Sequence, residues 1–261
     1  MADPPAPADA PADTGSGAGP PAAFAWLVHM FTASGAMLAL LALLAIERQQ
    51  WRLALLFLLL ALVVDGIDGT FARWARTKEK AARVDGDTLD LVVDYLTYVF
   101  VPTLFILKAG LVPQSLALWL AAAIQFSSLY LFARTDMKTQ DSYFRGFPAL
   151  WNLVAFYLFA LGAPPMAGAL VIVALAALTF APVHFVHPLR VRDYGIWLPL
   201  LAAIWLASTC ALLWLTGADP MRGPVLAASL VTAAILLLMG LARTFREGRR
   251  DPDAGGGAPR A

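Results

Sequence analysis

Residues 53–73 read LALLFLLLALVVDGIDGTFAR, a run apolar enough to cross a bilayer as one helix, yet broken in its second half by Asp65 and Asp68. A helix rises about 1.5 Å per residue and the hydrocarbon core is about 30 Å thick, so about twenty apolar residues make one crossing. A carboxylate in such a run costs about 2.5 to 3.5 kcal/mol at mid-membrane, and less toward the interface. Two in one run need a reason. The next apolar run, TLDLVVDYLTYVFVPTLFILK at 88–108, repeats the pattern with Asp90 and Asp94.

The rest of the chain supplies the setting. Of 261 residues, 60% are apolar and only 14% charged, with a mean hydropathy of +0.69; a soluble globule carries about 25% charge. Eight apolar segments stand out, at 24–45, 53–73, 88–108, 115–134, 147–162, 165–185, 195–216 and 223–244. They predict an all-α, polytopic membrane protein with about eight transmembrane helices. Residues 1–22, rich in Pro, Ala, Gly and Asp, read as a disordered tail. They have neither the basic start nor the apolar run of a signal peptide. A membrane domain over 23–245 follows, then a second disordered tail over 246–261. A net charge of +1 excludes the basic surface of a nucleic-acid binder. The lone Cys210 can form no internal disulfide.

Basic residues set the orientation, because Lys and Arg stay on the cytoplasmic side. Under the eight-span reading one set of helix ends and loops holds 15 of the 19 Lys and Arg residues, among them Arg73, Arg76, Lys78, Lys80, Arg134, Arg145 and Arg243. The opposite set holds 4: Arg48, Arg52, Lys108 and Arg222. Both termini are therefore expected in the cytoplasm, together with the ends of the helices that carry the aspartates.

Six of the 18 acidic residues fall between positions 65 and 94: Asp65, Asp68, Asp85, Asp87, Asp90 and Asp94. Spacings of three and four put Asp65 with Asp68, and Asp90 with Asp94, on single helix faces. A short connection makes the two helices antiparallel neighbours, so four carboxylates would converge. Something positive must offset them. Arg73 and Arg76 are near, and divalent cations are the alternative; oxygen donors without His or Cys suit Mg²⁺ or Mn²⁺ rather than zinc. A carboxylate cage for two ions points to phosphoryl transfer. For any single Asp at a helix end, a cap or a structural ion pair is the commoner role. The whole set is harder to explain that way, because Gly66, Gly69 and Gly86 cost helix stability in the same unit. A cation transporter using the carboxylates as its ion site is a different class of reading, which leaves the glycines and Arg73 unexplained.

The pattern Asp65-x2-Asp68-Gly69-x2-Ala72-Arg73, twelve residues, then Gly86-x3-Asp90-x3-Asp94 resembles the signature of the CDP-alcohol phosphatidyltransferase family. The spacer at 74–85 is longer than is usual there, and resembles that of the bacterial phosphatidylcholine synthases. The similarity extends through HMFTASGAMLALLAL, GDTLDLVVDYLTYVFVP, DMKTQDSYFRGFPALWNLVAFYLF and FVHPLRVR, and weakens in the last two helices and both tails.

The resemblance implies a reaction of CDP-diacylglycerol with choline, giving phosphatidylcholine and CMP, in a bacterial inner membrane. It implies that Asp65, Asp68, Asp90 and Asp94 hold two divalent cations, Mn²⁺ or Mg²⁺, and that Asp94 is also the catalytic base. Asp65, Gly69, Ala72, Arg73 and Gly86 would meet the CDP group. A homodimer is the family's expected assembly, with membrane lipids as its surroundings and no nucleic-acid partner. Relatives that use the same motif on serine, glycerol 3-phosphate or inositol, or join CDP-choline to diacylglycerol, are the alternatives.

Choline has a permanent positive charge, so its pocket calls for aromatic faces and a carboxylate. Tyr98, one turn from Asp94, and Trp151 are the preferred aromatic pair, among Tyr95, Tyr130, Tyr143 and Phe144. Asp136 stands where serine-using relatives have Asn, and is a candidate for attracting the ammonium. Arg134 and Arg145 are candidates for the lipid phosphate, or for anchoring at the interface. His184 and His187 fit interfacial hydrogen bonding better than metal binding, with no third ligand near. His29 is expected to hydrogen-bond within the bundle, and Thr32, Ser34 and Gly35 to be small packing residues.

Overall fold

A computed structural model describes residues 22–81, 83–134, 143–186, 191 and 194–250, the side chains of 22 and 246–250 excepted. Most of the two expected tails, together with Asp136 and His187, lies outside the described residues. The described chain is all-α apart from one two-stranded ladder, as the composition predicts for a polytopic membrane protein.

Helices α1 (Ala22–Glu47) and α2 (Trp51–Ala75) form an antiparallel pair. The turn between them is closed by two backbone bonds, Gln50 N–H to the Ala45 carbonyl at 2.8 Å and Gln49 N–H to that of Ile46 at 2.9 Å, with Gln49 left-handed at φ 56°. This is the Schellman arrangement, and it satisfies carbonyls that lipid could not. Buried Ala39, Ala42, Ala45, Ala54 and Ala61 lie in the central core. Small side chains of this kind let backbones approach in a membrane bundle, where contact replaces the hydrophobic drive.

Arg76, left-handed at φ 51°, ends α2, and a single turn, α3 (Thr77–Lys80), follows. The third span runs from Gly86 to Lys108 in three parts: α4 (Gly86–Asp94), a π-helical stretch Tyr95–Phe100, and α5 (Val101–Lys108). Pro102 accounts for the widened stretch, because it donates no N–H and its ring crowds the carbonyl four residues back. The hydroxyls of Thr97 and Thr103 donate to the carbonyls of Val93 and Val99, at 3.0 and 2.7 Å.

Each of the eight apolar segments contains one apolar helix, but among the described residues four are long and apolar enough to cross a membrane: those at Ala23–Glu47, Trp51–Ala75, Gly86–Lys108 and Arg222–Phe245. The other four are α6 (Ala117–Ala133), α7 (Trp151–Ala160), α8 (Pro165–Leu178) and α9 (Trp197–Leu212). With ten residues, α7 is about 15 Å long, half the hydrocarbon thickness. The segments predicted at 147–162 and 165–185 are thus shortened. Pro148 and left-handed Ala149 delay the start of α7, and Pro182 prevents α8 from continuing.

The shortened ends meet instead as an antiparallel ladder, β1 (Phe144–Arg145) with β2 (His184–Phe185), pairing Phe144 with Phe185 and Arg145 with His184. Gly146, at φ 84°, lets this corner close: a Cβ there would lie 2.2 Å from the Thr179 carbonyl oxygen. The last helix, α10 (Arg222–Arg250), holds the ladder through the Thr244 hydroxyl, which accepts from His184 N–H at 2.8 Å.

The core is aromatic and aliphatic, with Phe105, Trp151, Phe156, Ile106 and Ile124 fully enclosed. Leu118, Trp119, Phe126 and Trp214 are instead more than 70% exposed. That surface suits hydrocarbon as solvent and would be untenable in water.

Candidate active site

The end of α2 and the start of α4 bring together what their spacing promised. Single carboxylate oxygens of Asp65, Asp68 and Asp90 all lie within 4.8 Å of one another, with Asp68 buried and the other two half-buried. Asp94 is one turn farther along α4, half-buried and outside that triad. The Tyr98 hydroxyl donates to Asp65 Oδ2 at 2.6 Å.

The other two aspartates have ordinary duties. Asp85 caps α4, accepting from the backbone N–H of Asp87 at 3.1 Å and Thr88 at 3.4 Å, and from the Thr88 hydroxyl at 2.7 Å. The Thr88 hydroxyl and N–H hold the Asp85 carboxyl below the usual carboxylate range. Asp87 pairs with Lys78 at 2.7 Å on the exposed surface, and this hydrogen bond raises the lysine above its ordinary value.

Arg73 and Arg76 do not neutralise the triad. The Arg73 guanidinium is exposed and donates to the Thr70 hydroxyl at 3.1 Å, and Arg76 forms no ion pair among the described residues. Three carboxylates this close repel one another, and a hard divalent cation relieves that repulsion. The donor set fits a hard divalent cation such as Mg²⁺ or Mn²⁺: oxygen only, from three carboxylates gathered at one end of two adjacent helices.

Helix α1 packs across this end of α4. A Cβ on Gly35 would come within 2.5 Å of Val93 Cγ1, and one on Gly86 within 3.0 Å of His29 Cε1. The glycine at 86 therefore makes room for a histidine as well as for the carboxylate face. Ala72 lies against a small cluster of Ala25, Val28, Ala75 and Ala81, so the first turns of α1 wall the same end of α2.

The residues assigned to choline and lipid phosphate separate into three places. Tyr98 is buried at the acidic triad. Trp151 is in the core, fully enclosed, its indole N–H donating to Ser128 Oγ at 2.8 Å and its ring edge-on to Phe147 at 5.0 Å. A cation–π wall needs an open ring face, and Trp151 has none. Arg134 and Arg145 share a cleft of about 350 Å³ with Tyr130, Phe180, Ala181, Pro182 and His184. The Arg134 guanidinium stands 5.6 Å from the centre of the Tyr130 ring. His184 joins this basic cleft through the β ladder, a pairing that no sequence spacing announces.

The family model of the CDP-alcohol phosphatidyltransferases matches residues 25–234. The phosphatidylcholine synthase of Pseudomonas aeruginosa is 46% identical over 198 residues, which cover 75% of this chain and 82% of the relative. That of Bradyrhizobium diazoefficiens is 44% identical over 70% of this chain and 68% of its own. That of Borreliella burgdorferi is 36% identical over 65% and 72%.

Proposed function

Because the chain belongs to the CDP-alcohol phosphatidyltransferase family, we propose that it is a phosphatidylcholine synthase, which condenses CDP-diacylglycerol with choline to give phosphatidylcholine and CMP. The observation that carries the chemistry is the convergence of Asp65, Asp68 and Asp90 within 4.8 Å at one end of two adjacent helices. The observation that favours choline over serine, inositol or glycerol 3-phosphate is the identity of 36% to 46% with chains named phosphatidylcholine synthase. A cation transporter would explain the acidic residues and neither of these likenesses.

In this reading Asp65, Asp68, Asp90 and Asp94 hold two divalent cations, Mg²⁺ or Mn²⁺. Bound there, the ions supply charge neutralisation for the pyrophosphate and so ease the departure of CMP. Asp94 accepts the proton of the choline hydroxyl, a weak nucleophile near neutral pH. The choline oxygen bonds to the phosphorus that carries diacylglycerol, and the bond from that phosphorus to the bridging oxygen breaks, the electron pair leaving with CMP. Gly69, Ala72 and Gly86 keep the surface low enough for the nucleotide to lie against the helices. Arg73 offers a fork of donors to phosphate oxygens. Arg134 and Arg145 bind the lipid phosphate from the basic cleft, and Asp136 attracts the ammonium; Tyr98, first a candidate for the choline cage, instead holds Asp65 in place through its hydroxyl, and Trp151 acts through packing.

The protein works as a multi-pass protein of a bacterial inner membrane, its site and both termini cytoplasmic, as the 15 to 4 division of basic residues supports. Its membrane unit is 23–245, and it forms a homodimer. Purified protein supplied with Mn²⁺, CDP-diacylglycerol and one alcohol at a time tests the reaction. CMP release with choline and not with serine is expected; release with serine alone overturns the choline assignment.

A further inference from the structure

Among the described residues, His29 is a buried titratable group for which the reaction above has no use. Its side chain is 7% exposed on α1, and its Nε2 is buried with no hydrogen-bond partner. The ring lies over the first turn of α4: the space a Cβ on Gly86 would occupy is 3.0 Å from Cε1 and 3.5 Å from Nδ1. Trp26 stands edge-on to it, with ring centres 6.3 Å apart. Gly86 is one helical turn before Asp90, which belongs to the carboxylate triad. An imidazole nitrogen enclosed without a partner is rare in native proteins, because its lost hydration is not replaced.

We propose that His29 is a nucleotide-positioning residue, whose Nε2 hydrogen-bonds an oxygen of the CDP group seated between Gly86 and the end of α2. The proposal rests on the transferase reading and extends it to a residue outside the signature. Three chemistries meet at the site, and only one suits this nitrogen. Hydrocarbon tails have no hydrogen-bonding atoms, the trimethylammonium of choline neither donates nor accepts a hydrogen bond, and the choline hydroxyl is committed to Asp94 in the reading above. The ribose and the pyrophosphate are rich in oxygen. The first turns of α1 border Ala72 as well as Gly86, through the cluster of Phe24, Ala25, Val28, Ala75 and Ala81. The histidine thus stands on the element that packs against both small-residue positions, Ala72 and Gly86.

His29→Phe keeps the ring and removes the hydrogen bond; His29→Asn keeps a donor. With Mn²⁺ present, His29→Phe should weaken CDP binding and raise the KM for CDP-diacylglycerol, each about tenfold, while the KM for choline changes less than about twofold. His29→Asn should recover part of that loss. A 2′-deoxy-CDP arm separates the sources of oxygen: with this ligand the penalty of His29→Phe vanishes if the ribose hydroxyl is the partner and persists if it is a phosphate. A folded His29→Phe protein with wild-type affinity for CDP and wild-type KM overturns the proposal, leaving a histidine satisfied by water in the core. Wild-type protein that binds no CDP overturns it together with the transferase reading, so the two failures are distinct. A readout that needs no folded His29 variant is ¹⁵N NMR of protein labelled at its three histidines, assigned with His184→Gln and His187→Gln. CDP should shift the Nε2 signal of His29, and an unmoved signal overturns the assignment.

Discussion

The Tyr98 hydroxyl donates a hydrogen bond of 2.6 Å to Asp65 Oδ2, tying the π-helical stretch of the third span to the acidic end of α2. A carboxylate offered to a metal is held in place by the group that occupies its other oxygen, and removal of such a partner typically costs ten- to a hundredfold in metal affinity or activity. Tyr98→Phe should therefore raise the Mn²⁺ concentration for half-maximal turnover about tenfold or more. The KM for choline, measured at saturating Mn²⁺, distinguishes this positioning role from a choline cage, which would raise that KM and leave the metal requirement unchanged.

Asp94→Asn should abolish turnover, by about a thousandfold or more, in a protein that stays folded. The amide fills the same space and cannot take the proton of the alcohol. Near-normal activity in this variant would remove Asp94 from the role of base. Chelation of divalent ions should stop the wild-type reaction, and added Mn²⁺ or Mg²⁺ should restore it. Activity that survives exhaustive chelation would count against the carboxylate cage.

Asp85→Ala removes the cap of α4 and should lower the melting temperature. The carboxyl of Asp85 is held below its ordinary range by Thr88, so its contribution is full above the unfolded carboxylate value and fades as pH falls through the lowered folded value. The gap in melting temperature between wild type and variant should be widest near neutral pH and close on acidification. A gap independent of pH would mean that the aspartate acts through space-filling alone.

What the sequence made legible is what short-range periodicity controls. Asp65 with Asp68, and Asp90 with Asp94, share helix faces by spacing alone, and the short link 76–85 leaves antiparallel packing as the natural outcome; three of the four meet as expected. The exception, Asp94, is separated from the triad by one turn of α4. The ladder that carries Arg145 and His184 into one cleft joins residues about forty positions apart, and no periodicity encodes such a pairing. The shortening of α7 and α8 was written in Pro148 and Pro182, but a uniformly apolar composition hides the stops. The bond from Tyr98 to Asp65 depends on a local widening of the helix that only Pro102 hints at. Gly86 was legible as a small residue required by something; that the something includes His29 follows only from how α1 crosses α4.

Trp151 gives the sharpest separation of packing from recognition. Aromatic side chains near a choline site invite a cation–π reading, yet this ring is wholly enclosed by the core, its N–H held by Ser128, itself fully buried. Trp151→Ala should then act first on stability, by about 3 to 5 kcal/mol, through the cavity it leaves and the Ser128 hydroxyl it strands. Trp151→Phe should cost less, since it fills most of the volume and loses only the hydrogen bond and one ring. Thermal unfolding in detergent measures the first effect. Steady-state kinetics measure the second: for Trp151→Phe the KM values for choline and CDP-diacylglycerol should move together. A selective rise in the choline KM, with the melting temperature unchanged, would show that the ring opens to the alcohol during turnover and would return Trp151 to the binding pocket.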